Sequence, residues 1–127
     1  MGLPKSMRIG GYKSFDYLYK KATRFHGESM VLMIAKSNPR LTRKESSEQQ
    51  KDSFRFAISI SNKVSKKAVI RNRLRRVFHS YLLTKSINKK KLKSLWALVH
   101  LKPSSIDKEE KNLLQECEKL FHQAGLT

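Results

Sequence analysis

Acidic side chains are scarce in this sequence and absent from its middle: no Asp or Glu stands between Asp52 and Asp107, a stretch that holds fourteen Lys and Arg residues. Over the whole chain 28 bases face 10 acids, a formal charge of +18 in 127 residues. A surface of one sign repels itself unless a polyanion covers it, which makes nucleic acid the expected partner. Cysteine is equally scarce. Cys117 stands alone, so no intramolecular disulfide can form, and the histidines at 26, 79, 100 and 122 show no ligand spacing with it. Cys117 therefore reads as a small buried hydrophobe. No apolar run approaches 18 residues and no signal-like segment follows Met1, which argues against a membrane span and for the cytosol. Clustered carboxylates for two metal ions and a histidine pair for acid–base work are both lacking, so the chain does not read as a catalyst in its own right.

What is present is enough apolar material, 39% of residues, for one core at this length. We expect a single nucleic-acid-binding domain over 1–127, with a loose basic arm over 1–12 and a mobile polar loop over 40–53. The stretch Asn62 to Tyr81, NKVSKKAVIRNRLRRVFHSY, organises the rest. It reads as a short connector running into an amphipathic helix. At 3.6 residues per turn Ile70, Leu74, Val77, Phe78 and Tyr81 share the core side. Asn72, Arg76 and His79 fall opposite, with Arg73 and Arg75 on the flanks. Solvated helix faces interleave both signs and gain from Glu to Lys pairs four apart; here no acid offsets the bases.

Taken in order, Ser14 can cap a short helix through Lys21 that sets Phe15, Leu18 and Tyr19 on one face. Two readings of Phe15 and Tyr19 stand side by side: packing into the core, or an aromatic edge left open for stacking on bases. A brief strand over Thr23 to Gly27 and a firmer one over Met30 to Lys36 follow. Phe54 to Ser61 alternates, with Phe54, Phe56, Ile58 and Ile60 on a core face and Arg55, Ala57, Ser59 and Ser61 on a small, polar, basic one. That second face suits an extended nucleic-acid strand or plain solvent. After the arginine helix, Ser86 to Ser94 reads as a flexible basic connector. Leu95 to Leu101 is apolar almost throughout, as a central strand would be, and the helix before it suits a strand–crossover–strand unit. Asp107 with Glu110 gives a capping signature for a last helix packing Leu113, Leu114, Cys117, Leu120 and Phe121 and stopping at Gly125.

The run FRFAISISNKVSKKAVIRNRLRRVF closely resembles the signature of the bacterial ribonuclease P protein component: a strand ending in Ser, a Lys-rich turn, Ala68–Val69, the triplet Arg71–Asn72–Arg73 and the basic pair Arg75–Arg76. The segment with Phe15, Leu18 and Tyr19 is similar to that family's first helix, and LKPSSIDKEEKNLL to its Lys-Pro turn and last helix. This sequence has Val64, Ser65 and Lys66 where many members place a glycine turn.

The resemblance implies an accessory subunit of a ribonucleoprotein that removes the 5′ leader from precursor tRNA, an endoribonuclease whose RNA subunit performs the phosphodiester hydrolysis with Mg²⁺. It implies no cofactor bound by the protein alone, the catalytic RNA and precursor tRNA as partners, and no membrane or obligate protein partner. Arg71, Asn72, Arg73, Arg75 and Arg76 would contact the catalytic RNA, with Lys63, Lys66 and Lys67 adding charge at the helix entrance. Phe15, Tyr19, Arg55 and Ser59 would floor a leader site. The fold implied is α+β, a two-layer sandwich with a four-stranded sheet in α-β-β-β-α-β-α order and a left-handed crossover like a domain of a small-subunit ribosomal protein. Patterns alone favour the usual right-handed crossover. Two alternatives use similar charge: a ribosomal or other structural RNA-binding module, and a DNA-binding regulator, although the arginine helix lacks the partner helix of a helix-turn-helix.

Overall fold

The apolar run Leu95–Leu101 forms a strand, β4, whose residues Trp96, Ala97, Leu98, Val99 and Leu101 are all buried, because elements pack against both of its faces. The computed structural model describes residues 8–38, 54–84 and 95–126. The loop expected over 40–53, the basic connector over 86–94 and the arm before residue 8 lie outside the described residues. The elements are α1 (Tyr12–Lys21), β1 (Thr23–His26), β2 (Met30–Lys36), β3 (Arg55–Ser59), α2 (Ala68–Thr84), β4, a short 3-10 helix (Pro103–Asp107) and α3 (Glu110–Gln123).

The four strands form one sheet in the order β1-β2-β4-β3. β1 and β2 are an antiparallel hairpin, β2 pairs antiparallel with β4, and β3 pairs parallel with β4. A parallel neighbour needs a crossover, and α2 supplies it. This is the α+β class expected, in the expected order of elements.

One face of the sheet carries the larger core. Leu74, Phe78, Tyr81 and Leu82 of α2 and Leu113, Cys117, Leu120 and Phe121 of α3 cover Met30, Leu32, Phe56, Ile58 and Val99 there. Val64, in the turn before α2, is buried in the same cluster and fixes where that helix begins. The other face is covered by α1 and the segment before it: Ile9 and Leu18 pack on Val31, Met33, Ala57, Trp96 and Leu98. Tyr17 holds α1 in place, its ring edge-on to Trp96 at 5.8 Å and its hydroxyl donating to the Lys36 carbonyl at 2.7 Å.

Several local expectations need correction. α1 begins at Tyr12, with Gly11 as its N-cap at φ 83°, and Ser14 is buried one turn inside instead of capping. That left-handed φ is open to glycine at little cost, which is why the helix starts there. Asp107 does not cap the last helix. Pro103 starts a 3-10 turn in which the Ser105 amide donates to the Lys102 carbonyl at 2.9 Å, and α3 begins only at Glu110, behind Glu109. Gly125, at φ 77°, ends the helical run as expected. The strand expected over 54–61 is paired only over Arg55–Ser59.

Candidate nucleic-acid interface

α2 carries its bases away from the core, but most of them are held by the protein itself. Arg71 is half-buried and folds back, donating to the Ser65 carbonyl at 2.9 Å, so it braces the turn that precedes its own helix. Arg75 donates to the Asn72 side-chain oxygen at 2.7 Å, one turn away. Arg73 Nε meets Glu110 Oε1 of α3 at 2.7 Å. Arg76 is exposed beside Arg73 and Ser80. Lys63, Lys66 and Lys67 are exposed in the approach, where the Lys67 amide donates to Ser65 Oγ at 3.2 Å. The first turn of α2 has no acid, so the positive end of its dipole adds to these lysines. The structure therefore brings the eight basic-patch residues onto one helix and its approach.

His79 does not stand out to solvent as the helical wheel suggests. It is half-buried, edge-on to Phe56 at 6.4 Å, and its imidazole is held below the ordinary value by that burial first and by the charges of Arg75 and Arg8 second. Arg8 belongs to this neighbourhood, and sequence reasoning missed it. It forms a bridge to Phe56 at the outer edge of β3, where the Ile9 amide also donates to the Phe56 carbonyl at 3.3 Å. No periodic signal surrounds Arg8 that would have revealed a strand-like contact.

On the sheet face under α1, strand register sets His26, Val31, His100 and Ser59 in one line, since His26 pairs with Val31, Val31 with His100 and His100 with Ser59. Val31 is buried, while His100 and Ser59 are half-buried and His26 is exposed. Tyr19 leans over this line from α1. Its side chain remains 38% exposed, and its hydroxyl lies 3.4 Å from His100 Nδ1. Arg24 of β1 donates to the Tyr19 carbonyl at 2.6 Å, fixing the end of α1 over the sheet. Phe15, one turn earlier, is half-buried against the Trp96 cluster.

Arg55 was expected on this face as an accessible base, and that expectation is corrected. Its side chain is only 2% exposed, beneath the segment before α1, and it donates to the Arg8 carbonyl at 2.9 Å. Ala57 beside it is buried as well. The polar alternation of β3 suggests a face open to a nucleic-acid strand or to solvent, yet α1 and residues 8–10 cover half of it. Only the end holding Ser59 stays open. Of the four residues expected under a leader strand, the structure groups Tyr19 and Ser59, leaves Phe15 at the margin, and removes Arg55. In exchange it adds Arg24, His26 and His100, which a reading of single segments could not align across three strands.

Among the described residues no three His, Cys, Asp or Glu side chains gather to hold a metal ion, and no helix is long and apolar enough to cross a membrane. Cys117 is buried in α3, and that burial, with the carboxylates of Glu116 and Glu118 nearby, pushes its thiol up to about 12.

Comparison with known proteins bears on this arrangement. The profile of the Ribonuclease P family matches residues 3–125. A ribonuclease P protein component from Prochlorococcus marinus is 50% identical over 98% of this chain and 98% of its own length. Another, from a Synechococcus, is 42% identical over 99% of this chain and 98% of its own. Among solved structures, the Staphylococcus aureus RNase P protein superposes with a TM-score of 0.73 at 22% identity, covering 96% of this chain and 98% of that one. The Thermotoga maritima RNase P protein gives 0.69 at 17% identity, covering 91% and 96%. With the family's profile spanning nearly its whole length and its signature arginines gathered on α2, this chain belongs to the ribonuclease P protein family.

Proposed function

We propose that this protein works as the accessory subunit of a ribonuclease P, a cytoplasmic ribonucleoprotein endonuclease that removes the 5′ leader of precursor tRNA. The observation that carries this reading is the separation of two surfaces on one RNA-binding domain. α2 and its approach present Lys63, Lys66, Lys67, Arg73 and Arg76 to solvent. The open end of the sheet, under α1, presents Tyr19, His26, His100 and Ser59 instead.

The two surfaces differ in chemistry as their roles require. A guanidinium fork grips phosphate oxygens without reading sequence, so α2 suits the folded catalytic RNA, Arg73 and Arg76 directly and Asn72 with Arg75 as a pair. Arg71 braces the Ser65 carbonyl and so steadies the entrance of the helix beside these contacts. A single-stranded leader needs a platform for bases and a few cations for its backbone. Tyr19 with Phe15 at its margin supplies the first, and Arg24 at the rim the second. Hydrolysis of the phosphodiester falls to the RNA subunit and its Mg²⁺.

Reconstitution tests the reading. Purified protein added to the catalytic RNA should raise cleavage of precursor tRNA at limiting Mg²⁺, and the assembly constant should fall steeply with salt as counterions are taken back by the RNA. A protein that binds the RNA but leaves cleavage unchanged would be a structural RNA-binding module instead.

A further inference from the structure

Among the described residues, Arg73 of α2 meets an acid. Its Nε donates to Glu110 Oε1 at 2.7 Å across the groove between α2 and α3, and both side chains are accessible, 69% for Arg73 and 38% for Glu110. The groove encloses about 520 Å³ and is lined by Ile70, Ile106, Lys108 and Lys111 as well as the ion pair. Arg73 also borders a second groove with Arg76 and Ser80. It therefore stands on the ridge between the acidic start of α3 and the basic outer face of α2.

We infer that Glu110 stands in for an RNA phosphate: in the free protein its carboxylate occupies the Arg73 guanidinium, and assembly with the catalytic RNA exchanges that carboxylate for a phosphate. This rests on the reading of Arg73 as an RNA contact. A carboxylate and a phosphate present similar oxygens to the guanidinium and use the same charge-assisted bond, so the two compete for one donor set. An exposed pair of this kind is weak, so exchange is easy. Its consequence lies in what remains afterwards. Once Arg73 turns to the RNA, Glu110 is left unpaired at the edge of a polyanion and must take up a cation. Glu110 therefore lowers the affinity of the subunit for RNA and flattens its salt dependence. Lys108 does not cancel this, because it is already paired with Glu28 at 2.8 Å.

The test is a double-mutant cycle on binding of the full chain to the catalytic RNA, with Glu110→Gln, Arg73→Ala and the pair. Glu110→Gln should bind about two- to five-fold more tightly, the range of an exposed ion pair. Its plot of log affinity against log salt should steepen by up to about 0.7–0.9, the contribution of one further phosphate. In the Arg73→Ala background both gains should shrink to the general charge effect that a neighbouring acid also shows. Glu109→Gln removes the same charge one residue away and serves as the control; it should give the smaller gain, and one insensitive to Arg73. Circular dichroism and melting curves verify that each variant is folded. An equal gain from Glu109→Gln, or a Glu110→Gln gain that persists undiminished without Arg73, would show a general charge effect and overturn the exchange. Should Arg73→Ala leave RNA affinity untouched while Glu110 is present, Arg73 is not an RNA contact, and the reading beneath the inference fails first.

Discussion

The Tyr19 hydroxyl lies 3.4 Å from His100 Nδ1, with the two rings edge to face at a centroid distance of 6.3 Å, so a helix residue and a central-strand residue 81 positions apart share one edge of the sheet. This pairing holds the Tyr19 ring at a wet margin with one side open. Truncating Tyr19 to Ala should therefore cost about 1–3 kcal/mol in binding precursor tRNA to the reconstituted enzyme, the worth of one stacked base. Mature tRNA, which has no leader, should bind as before. Affinity measurements with both ligands check this, and equal losses for the two would place Tyr19 in the fold and not in the site.

Arg55 is predicted to matter for stability and not for the leader. Its buried guanidinium ties the Arg8 carbonyl to β3, and Arg55→Ala removes that charge-assisted bond along with the side chain that fills the space. Hydrogen bonds to charged groups contribute about 1.5–3 kcal/mol, and the unfolding free energy should fall by that amount in urea titration. Losses of RNA affinity should be the same for precursor and mature tRNA. Unchanged stability with a loss confined to precursor would return Arg55 to the leader site.

Arg55 also shows where reading the chain reaches its limit. The period-2 pattern of Phe54 to Ser61 correctly put Phe56, Ile58 and Ile60 in the core, because alternation is a property of the strand itself. It could not reveal that Ile9 and Leu18 cover the opposite face, since that depends on where a distant helix docks. The same division holds for α2. Its wheel located Leu74, Phe78 and Tyr81 in the core, whereas the bond from Arg73 to Glu110 arises from the crossing of two helices and leaves no local trace. The line His26, Val31, His100 and Ser59 is set by register across four strands, two of them joined by a crossover, and register across a crossover is not written in either strand alone. Periodicity and the run of bases located the basic helix but not the pairings within it.

Gly27 sits where the β1–β2 turn meets α3. A Cβ built there would come within 2.6 Å of Glu116 Oε2, the oxygen that accepts the amide of the fully buried Ser29 at 2.9 Å. Gly27→Ala must push that carboxylate aside, and stranding the Ser29 amide should cost about 1–3 kcal/mol. Glu116→Ala should cost a similar amount. In the Glu116→Ala background the Gly27 substitution should lose most of its effect, leaving only the adjustment against Leu120. Additive costs in urea unfolding of the three variants would mean that the turn backbone, not Glu116, resents the side chain.

Cys117 gives a prediction at alkaline pH. The native thiol is pushed up to about 12 by burial and by the flanking Glu116 and Glu118 carboxylates, while in the unfolded chain it titrates near its ordinary value of 9.0. Between those values the unfolded state gives up its proton first, so stability present below the unfolded value drains away as pH rises, by up to about 1.4 kcal/mol per pH unit. Burial raises the Tyr81 hydroxyl in the same sense and adds its own loss at higher pH. Substituting Cys117 with Ala deletes the thiol's share alone. The difference in unfolding free energy between the wild-type chain and Cys117→Ala should then be flat below about pH 8 and decline steadily from pH 9 to 11. A difference that stayed constant across that range would mean the native thiol titrates like an unfolded one. In keeping with the same burial, the folded protein at neutral pH should resist alkylation that the urea-unfolded chain undergoes readily, because the thiolate and not the thiol is the nucleophile.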